Sequence, residues 1–231
     1  MYTDDFGRSV FERLRCECDY EITEQWPSDI SKELWMFQKL KTYEAQTEPY
    51  IHFDLDFIVH QRFPESYLQN PGGFQNIETV SPEEVHVYLF EPHEALVLPE
   101  VFFKYDLMKV PAYNVGFLFF NDVQFSREYA RAAIEMCVQN TPRIDLFPKE
   151  PDKYLTCIIE QQLLGLMAHD RTAGLQPFLG RRESRLNAYF DHYIGHYKNT
   201  WRTKTFLKQY VTPEIQAIAG ELDELRKVSK A

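Results

Sequence analysis

Apolar and polar positions along the chain follow two rhythms, a period of two that suits strands and a longer one that suits helices. In "SKELWMFQKLKTYEAQ", Leu34, Phe37 and Leu40 recur at helical spacing behind Ser31 and Glu33, which predicts a helix capped by Ser31 and ended by Pro49. The next residues, Tyr50 to Phe53, are a short aromatic and apolar run, the pattern of a buried strand. That strand carries Asp54 and Asp56 at its end. Residues 64–82, "PESYLQNPGGFQNIETVSP", have the proline, glycine and asparagine content of a loop excursion or hairpin, and "EEVHVYLFE" then alternates as an added strand. "AYNVGFLFFND" predicts another buried strand, ending at Asn121 and Asp122 and leading into a helix over "SREYARAAIEMCVQ" with Ser126 as its cap. "YLTCIIEQQLLGLMAH" reads as a core helix with Glu160, Gln161 and Gln162 on its polar side, and residues 213–231 as an amphipathic terminal helix.

Strands alternating with helices predict an α/β fold around a central, mostly parallel mixed sheet. There is no internal repeat or low-complexity segment, so residues 1–231 are expected to form a single domain. Composition agrees: 231 residues, 44% hydrophobic and 15% aromatic, supply a packed core and exclude intrinsic disorder. The formal net charge of -10 offers no basic footprint, so nucleic acid is not an expected partner. The longest apolar stretches, such as "VGFLFF", fall far short of the ~20 residues of a membrane helix. No transmembrane segment is expected. The start "MYTDDFGRSV" has acids where a secretory signal is basic and then apolar, which predicts a cytoplasmic location. Cys16 and Cys18 lie two apart and Cys137 and Cys157 sit in helix-like segments, matching neither a zinc knuckle nor a secreted disulfide framework.

In open α/β sheets ligands bind at the carboxyl ends of strands, where Asp54 and Asp56 would sit. Side chains at i and i+2 of an extended chain share a face, so the pair can grip one hard divalent cation, Mn²⁺ or Mg²⁺, and leave positions for substrate phosphates. Aspartates two apart are also common in solvated turns; the apolar strand before them distinguishes this pair. A second cluster, "DHYIGHYKNTW", spaces His192, Gly195 and Lys198 three apart. An imidazole, a gap in the side-chain wall and a cation on one surface suit a diphosphate. The plainer alternative is an aromatic segment with a core histidine and a surface lysine.

Four segments in order, "YIHFDLDFIV", "YNVGFLFFND", "IIEQQLL" and "HYIGHYK", resemble the landmarks of the retaining glycosyltransferases of the glycogenin and lipopolysaccharide-galactosyltransferase family. These landmarks are an Asp-x-Asp after a strand, an Asn-x-Gly at a strand start, an acid-Gln pair on a helix and a closing His-x-x-Gly-x-x-Lys. "LWMFQKLKTYEAQTEPYIHFDLD" is also similar to a group of bacterial glycosyltransferase-like proteins. The resemblance spans roughly residues 1–201 and implies a GT-A fold, a nucleotide-diphospho-sugar-binding α/β domain. It implies that Asp54, Asp56 and His192 hold Mn²⁺, or Mg²⁺, against the donor diphosphate, with Gly195 and Lys198 at the phosphates. Asn114 and Gly116 would face the donor sugar or acceptor, and Glu160 with Gln161 would read sugar hydroxyls or stabilise developing positive charge. Lys39 matches a basic position that contacts donor in relatives; its alternative is a solvated helix lysine. The implied donor is a nucleotide sugar such as a UDP-hexose, and the acceptor is left open among glycan, lipid and protein.

The chain departs from that pattern in three places. It begins at what looks like the second strand of the fold, "MYTDDFG", so the opening βα unit of relatives is missing from the pattern. Glu160 stands where relatives carry aspartate, and the proline and tryptophan that follow the final lysine in relatives are reduced to "NTW". Two competing readings follow. The fold could serve as a binding or partner protein with a weakened donor site. "FDLDFIV" also resembles the motif of haloacid-dehalogenase-like phosphatases, but Ile58 replaces the threonine that chemistry needs.

Overall fold

The computed structural model describes residues 2–3, 5–13, 19, 21–22, 26–54, 57–78, 95–146, 155, 157–179, 189–192, 213, 216–218 and 220. In chain order they form strand β1 (Tyr2–Thr3), helix α1 (Asp5–Arg13), strand β2 (Glu21–Ile22), helix α2 (Met36–Ala45), strands β3 (Tyr50–Phe53) and β4 (Phe57–Val59), and helix α3 (Glu65–Leu68). Strand β5 (Gly72–Glu78), helix α4 (Val101–Lys104), strand β6 (Ala112–Phe120) and helix α5 (Val123–Asn140) follow. A 3-10 segment (Thr141–Leu146), a π-helical segment (Cys157–Gln162) running into helix α6 (Leu163–Asp170), and strands β7 (Gln176–Pro177) and β8 (Phe190–His192) complete the series. The expected single domain is divided by its contacts into two units, Met1–Gln25 with Tyr193–Ala231, and Trp26–His192. In the first, β1 and β2 pair in parallel. Of the terminal helix expected over 213–231, positions 213, 216–218 and 220 are described and are helical, with Ile218 buried and Gln216, Ala217 and Gly220 exposed.

The second unit is built on a mixed sheet of strand order β3-β6-β5-β7. β6 runs antiparallel to both of its neighbours, while β5 and β7 pair in parallel. The sheet is therefore mixed, as expected, but among the described strands it is not mostly parallel. The reason lies in β5, whose "GGFQNIE" carries a loop-like composition. A Cβ on Gly72 would lie 2.6 Å from Leu175 Cδ2 and 2.9 Å from the Phe119 carbonyl, and one on Gly73 would run into Phe119 and the Tyr67 hydroxyl. Here glycine marks close packing against β6, not a turn. The added strand expected at 83–91 lies outside the described residues.

β6 is buried from Asn114 to Phe120 because both faces are covered. Leu118 and Phe120 join the main core with α2, α5 and α6, and Phe117 and Phe119 join an aromatic cluster with Phe63, Leu179 and Phe190. β3 spans the predicted residues but is half-buried, with Ile51 exposed.

Two predicted caps shift. Ser31 accepts from the Glu33 amide at 3.3 Å within a turn, and α2 starts only at Met36. At α5 the cap is Asp122, whose carboxylate accepts from the Phe125 amide at 2.9 Å. Ser126 instead lies buried inside that helix, hydrogen-bonded to the Tyr50 hydroxyl at 2.6 Å, and fastens β3 to α5. No helix among the described residues is long and apolar enough to cross a membrane.

Candidate functional site

Three charged side chains from distant segments meet beside the end of β3. The Asp54 amide donates to the Gly116 carbonyl at 2.8 Å, which extends the β3–β6 ladder by one residue and fixes where its carboxylate emerges. Lys39, from α2, donates to Asp54 Oδ1 at 2.7 Å and to the Val115 carbonyl at 3.3 Å, and its Nζ ion-pairs with Glu160 Oε1 at 2.8 Å. His52 Nε2 lies 3.0 Å from the same Asp54 oxygen. Side-chain exposure falls from 27% at Asp54 to 9% at Lys39 and 2% at Glu160. The solvated-lysine alternative for Lys39 is therefore excluded, and Glu160 sits in the core instead of on a polar helix face.

Such burial would cost several kcal/mol per ion without partners, so the charges stand or fall together. Burial lowers the Lys39 ammonium, but Glu160 and Asp54 outweigh it and hold the group above its ordinary value. For Asp54, burial pushes upward and Lys39 with His52 pulls harder, leaving the carboxyl at about 2. Glu160 is raised, because desolvation exceeds the attraction of Lys39 and Asp54 adds repulsion. Asp54 is thus the firmly ionised member and Glu160 the reluctant one.

Glu160 owes its position to the π-helical turn. A π turn shifts the backbone hydrogen-bond register, and such turns recur at functional sites. The Tyr129 hydroxyl, from α5, donates to the Glu160 carbonyl at 2.7 Å and ties that turn down. The phenol of Tyr43 is buried beside this cluster, raised well above its ordinary value by desolvation and then by Glu160, and has no hydrogen-bond partner among the described residues.

A second group adjoins the first through Gly116. The Asn114 side chain accepts from the Gly116 amide at 3.1 Å and donates to Glu78 Oε1 at 2.5 Å. Both ends of Asn114 are thus committed to holding backbone and Glu78. His192, on β8 opposite Phe57 of β4, packs its ring against that of Phe57 with centroids 4.2 Å apart and the planes tilted by 30°. A Cβ on Gly116 would run into His192 Cε1 and lie 3.0 Å from both His192 Nε2 and Phe57 Cε2. Only glycine leaves room for the imidazole. His192 Nδ1 lies 2.7 Å from Gln75 Oε1.

The structure therefore gathers Lys39, Asp54 and Glu160 in one cluster and links it through Gly116 to Asn114 and His192. Gln161 is half-buried, and no hydrogen bond joins it to Lys39 or Asp54 among the described residues. Asp56, Gly195 and Lys198 lie outside the described residues. His52, Tyr43, Tyr129, Gln75 and Glu78 are participants that the sequence reading missed. His52 was within reach, since it shares a strand face with Asp54. Gln75 was hidden by reading its strand as a loop.

As donors for a hard divalent cation, the carboxylate of Asp54 and the imidazole of His192 are of the right chemical kind. Asp54 is ionised and partly exposed, and the Gln75 contact gives His192 the outer hydrogen bond that ligating imidazoles have. The described residues contain no group of three or more such ligands.

No curated protein matches the sequence. A model of a family of unknown function, DUF6734, matches residues 1–216, and the chain belongs to that family.

Proposed function

We propose that the chain is a GT-A-like, metal-dependent glycosyltransferase that moves a sugar from a nucleotide-diphosphate donor, with retention. The reading is supported most by one observation. Lys39, Asp54, Gly116, Glu160 and His192, picked out from separate stretches of sequence, occupy adjoining positions around the end of β3 and the middle of β6.

Asp54, Asp56 and His192 would hold Mn²⁺, or Mg²⁺, which when bound supplies Lewis-acid stabilisation to the departing diphosphate. The remaining chemistry belongs to the chain. Lys39, held cationic by Glu160 and Asp54, is a fixed positive charge that needs no reorganisation as negative charge builds on the leaving group. Glu160, anchored by Tyr129 through its carbonyl, keeps that ammonium oriented and places a carboxylate behind it. Gly116 lets the imidazole of His192 approach the backbone of β6.

A panel of UDP-, GDP-, TDP- and ADP-linked sugars with Mn²⁺ tests the proposal, with release of nucleotide as the readout. The expected result is release from one nucleotide class, abolished in Asp54→Asn. No release and no binding across the panel would overturn it. One observation favours the partner-protein reading: Lys39 already neutralises Asp54 and Glu160 inside the chain. That reading predicts binding of a nucleotide sugar without turnover.

A further inference from the structure

Gln75 is a polar side chain at the centre of the sheet, fully buried in the middle of β5. It lies at a break in register. Phe74 faces Leu118 and Asn76 faces Asn114, so β6 sets Val115, Gly116 and Phe117 against the single residue Gln75. Bulges of this kind re-aim a side chain and are frequent beside active sites. Gln75 is anchored by its carbonyl, which accepts from the Leu179 amide at 2.8 Å. Its side-chain oxygen lies 2.7 Å from His192 Nδ1, while its side-chain nitrogen meets no acceptor among the described residues.

That arrangement is poor engineering for stability alone. An apolar residue of equal volume would fill the site without burying an unmet amide N–H. What the glutamine supplies is an acceptor for one ring nitrogen of His192. An imidazole that donates from Nδ1 carries its lone pair on Nε2, and the hydrogen bond to one nitrogen sets the chemistry of the other.

We infer that Gln75 is a positioning residue that holds His192 in its Nδ1–H tautomer, so that Nε2, lodged over Gly116, is the ring atom able to ligate a cation. The consequence for metal binding rests on the function proposed above; the tautomer itself does not.

The test uses the full chain with ¹⁵N-labelled histidine, the His192 signals being assigned by their loss in His192→Gln. NMR of the metal-free protein reads which nitrogen carries the proton, and electron paramagnetic resonance of free Mn²⁺ reads affinity for the metal alone. Wild type should show Nδ1–H. Gln75→Met, close in volume but without an acceptor, should lose that single tautomer and weaken Mn²⁺ binding by about 10–100-fold. Gln75→Glu, which retains an acceptor, should keep the tautomer. A wild-type Nε2–H tautomer would overturn the inference, as would an unchanged tautomer in folded Gln75→Met or a lost one in folded Gln75→Glu. If Gln75→Met fails to fold, the wild-type and Gln75→Glu spectra still decide the tautomer. An Nδ1–H wild type that binds no Mn²⁺ would overturn the metal reading while upholding control of the ring by Gln75.

Discussion

Replacing Lys39 by methionine would strand a carboxylate in the core. Lys39 contacts Asp54 at 2.7 Å and Glu160 at 2.8 Å, and the two acids differ in what they can do next. Asp54 is partly exposed and keeps His52 as a neighbour, so water replaces much of what it loses. Glu160 is 2% exposed and has no such recourse. Its least costly response is to take up a proton. At pH 7 that costs about 3 kcal/mol, from 1.36 kcal/mol for each of the roughly 2.5 pH units above its ordinary value of 4.5. The same figure follows from measured losses of about 3–5 kcal/mol when one partner of a buried pair is removed.

The sign of the pH dependence is fixed by the same reasoning. A carboxyl whose folded value is raised binds its proton more tightly in the folded state, so the penalty is absent below the unfolded value and grows as pH rises toward the folded one. Urea unfolding of Lys39→Met, followed by tryptophan fluorescence, should show a loss of up to about 3 kcal/mol at pH 7 that shrinks by about 1.4 kcal/mol per unit as pH falls toward the raised value Glu160 already has in wild type. Lys39→Met with Glu160→Gln should recover most of the loss at pH 7. A loss under about 1 kcal/mol that does not vary with pH would refute the buried-pair reasoning.

Three further outcomes follow from the geometry. Gly116→Ala should cost about 1–3 kcal/mol by driving a methyl group into His192, and should shift the His192 ring signals; an unchanged unfolding midpoint would contradict the close packing. Asp54, held at about 2 against an ordinary 3.8 because Lys39 and His52 outweigh burial, contributes stability above pH 3.8 that is lost as pH falls toward 2. Acid titration of Asp54→Asn should lack about 2 kcal/mol of that dependence, and an acid limb identical to wild type would contradict the pairing. Asp122→Ala should destabilise by about 1 kcal/mol through the lost cap of α5, and no loss in urea unfolding would return the cap to another residue.

What could be read from the sequence was whatever neighbouring residues decide. β3 and β6 announce themselves as apolar runs with polar residues at their ends, and α5 as a periodic segment after them. β5 was illegible because its glycines answer to Phe119 and Leu175, residues far along the chain. The burial of Glu160 was illegible for the same reason, since its helix looks polar there until Lys39, 121 positions earlier, is brought against it. Within the site, Asp54 and His192 could be picked out by type and spacing, and Lys39, Gly116 and Glu160 only through the family resemblance. Gln75 and Glu78 could not, because each matters only through a partner, His192 or Asn114, that the fold supplies.

Thermal unfolding with UDP and with GDP, each in the presence and absence of Mn²⁺, would reveal a nucleotide-sugar site in this chain. A ligand at ~100 times its dissociation constant adds about 2.7 kcal/mol of stability, enough to move the midpoint by several degrees. The midpoint should rise only with one of the two nucleotides together with the metal, and the rise should disappear in Asp54→Asn. A midpoint unmoved by every combination would contradict the proposed site.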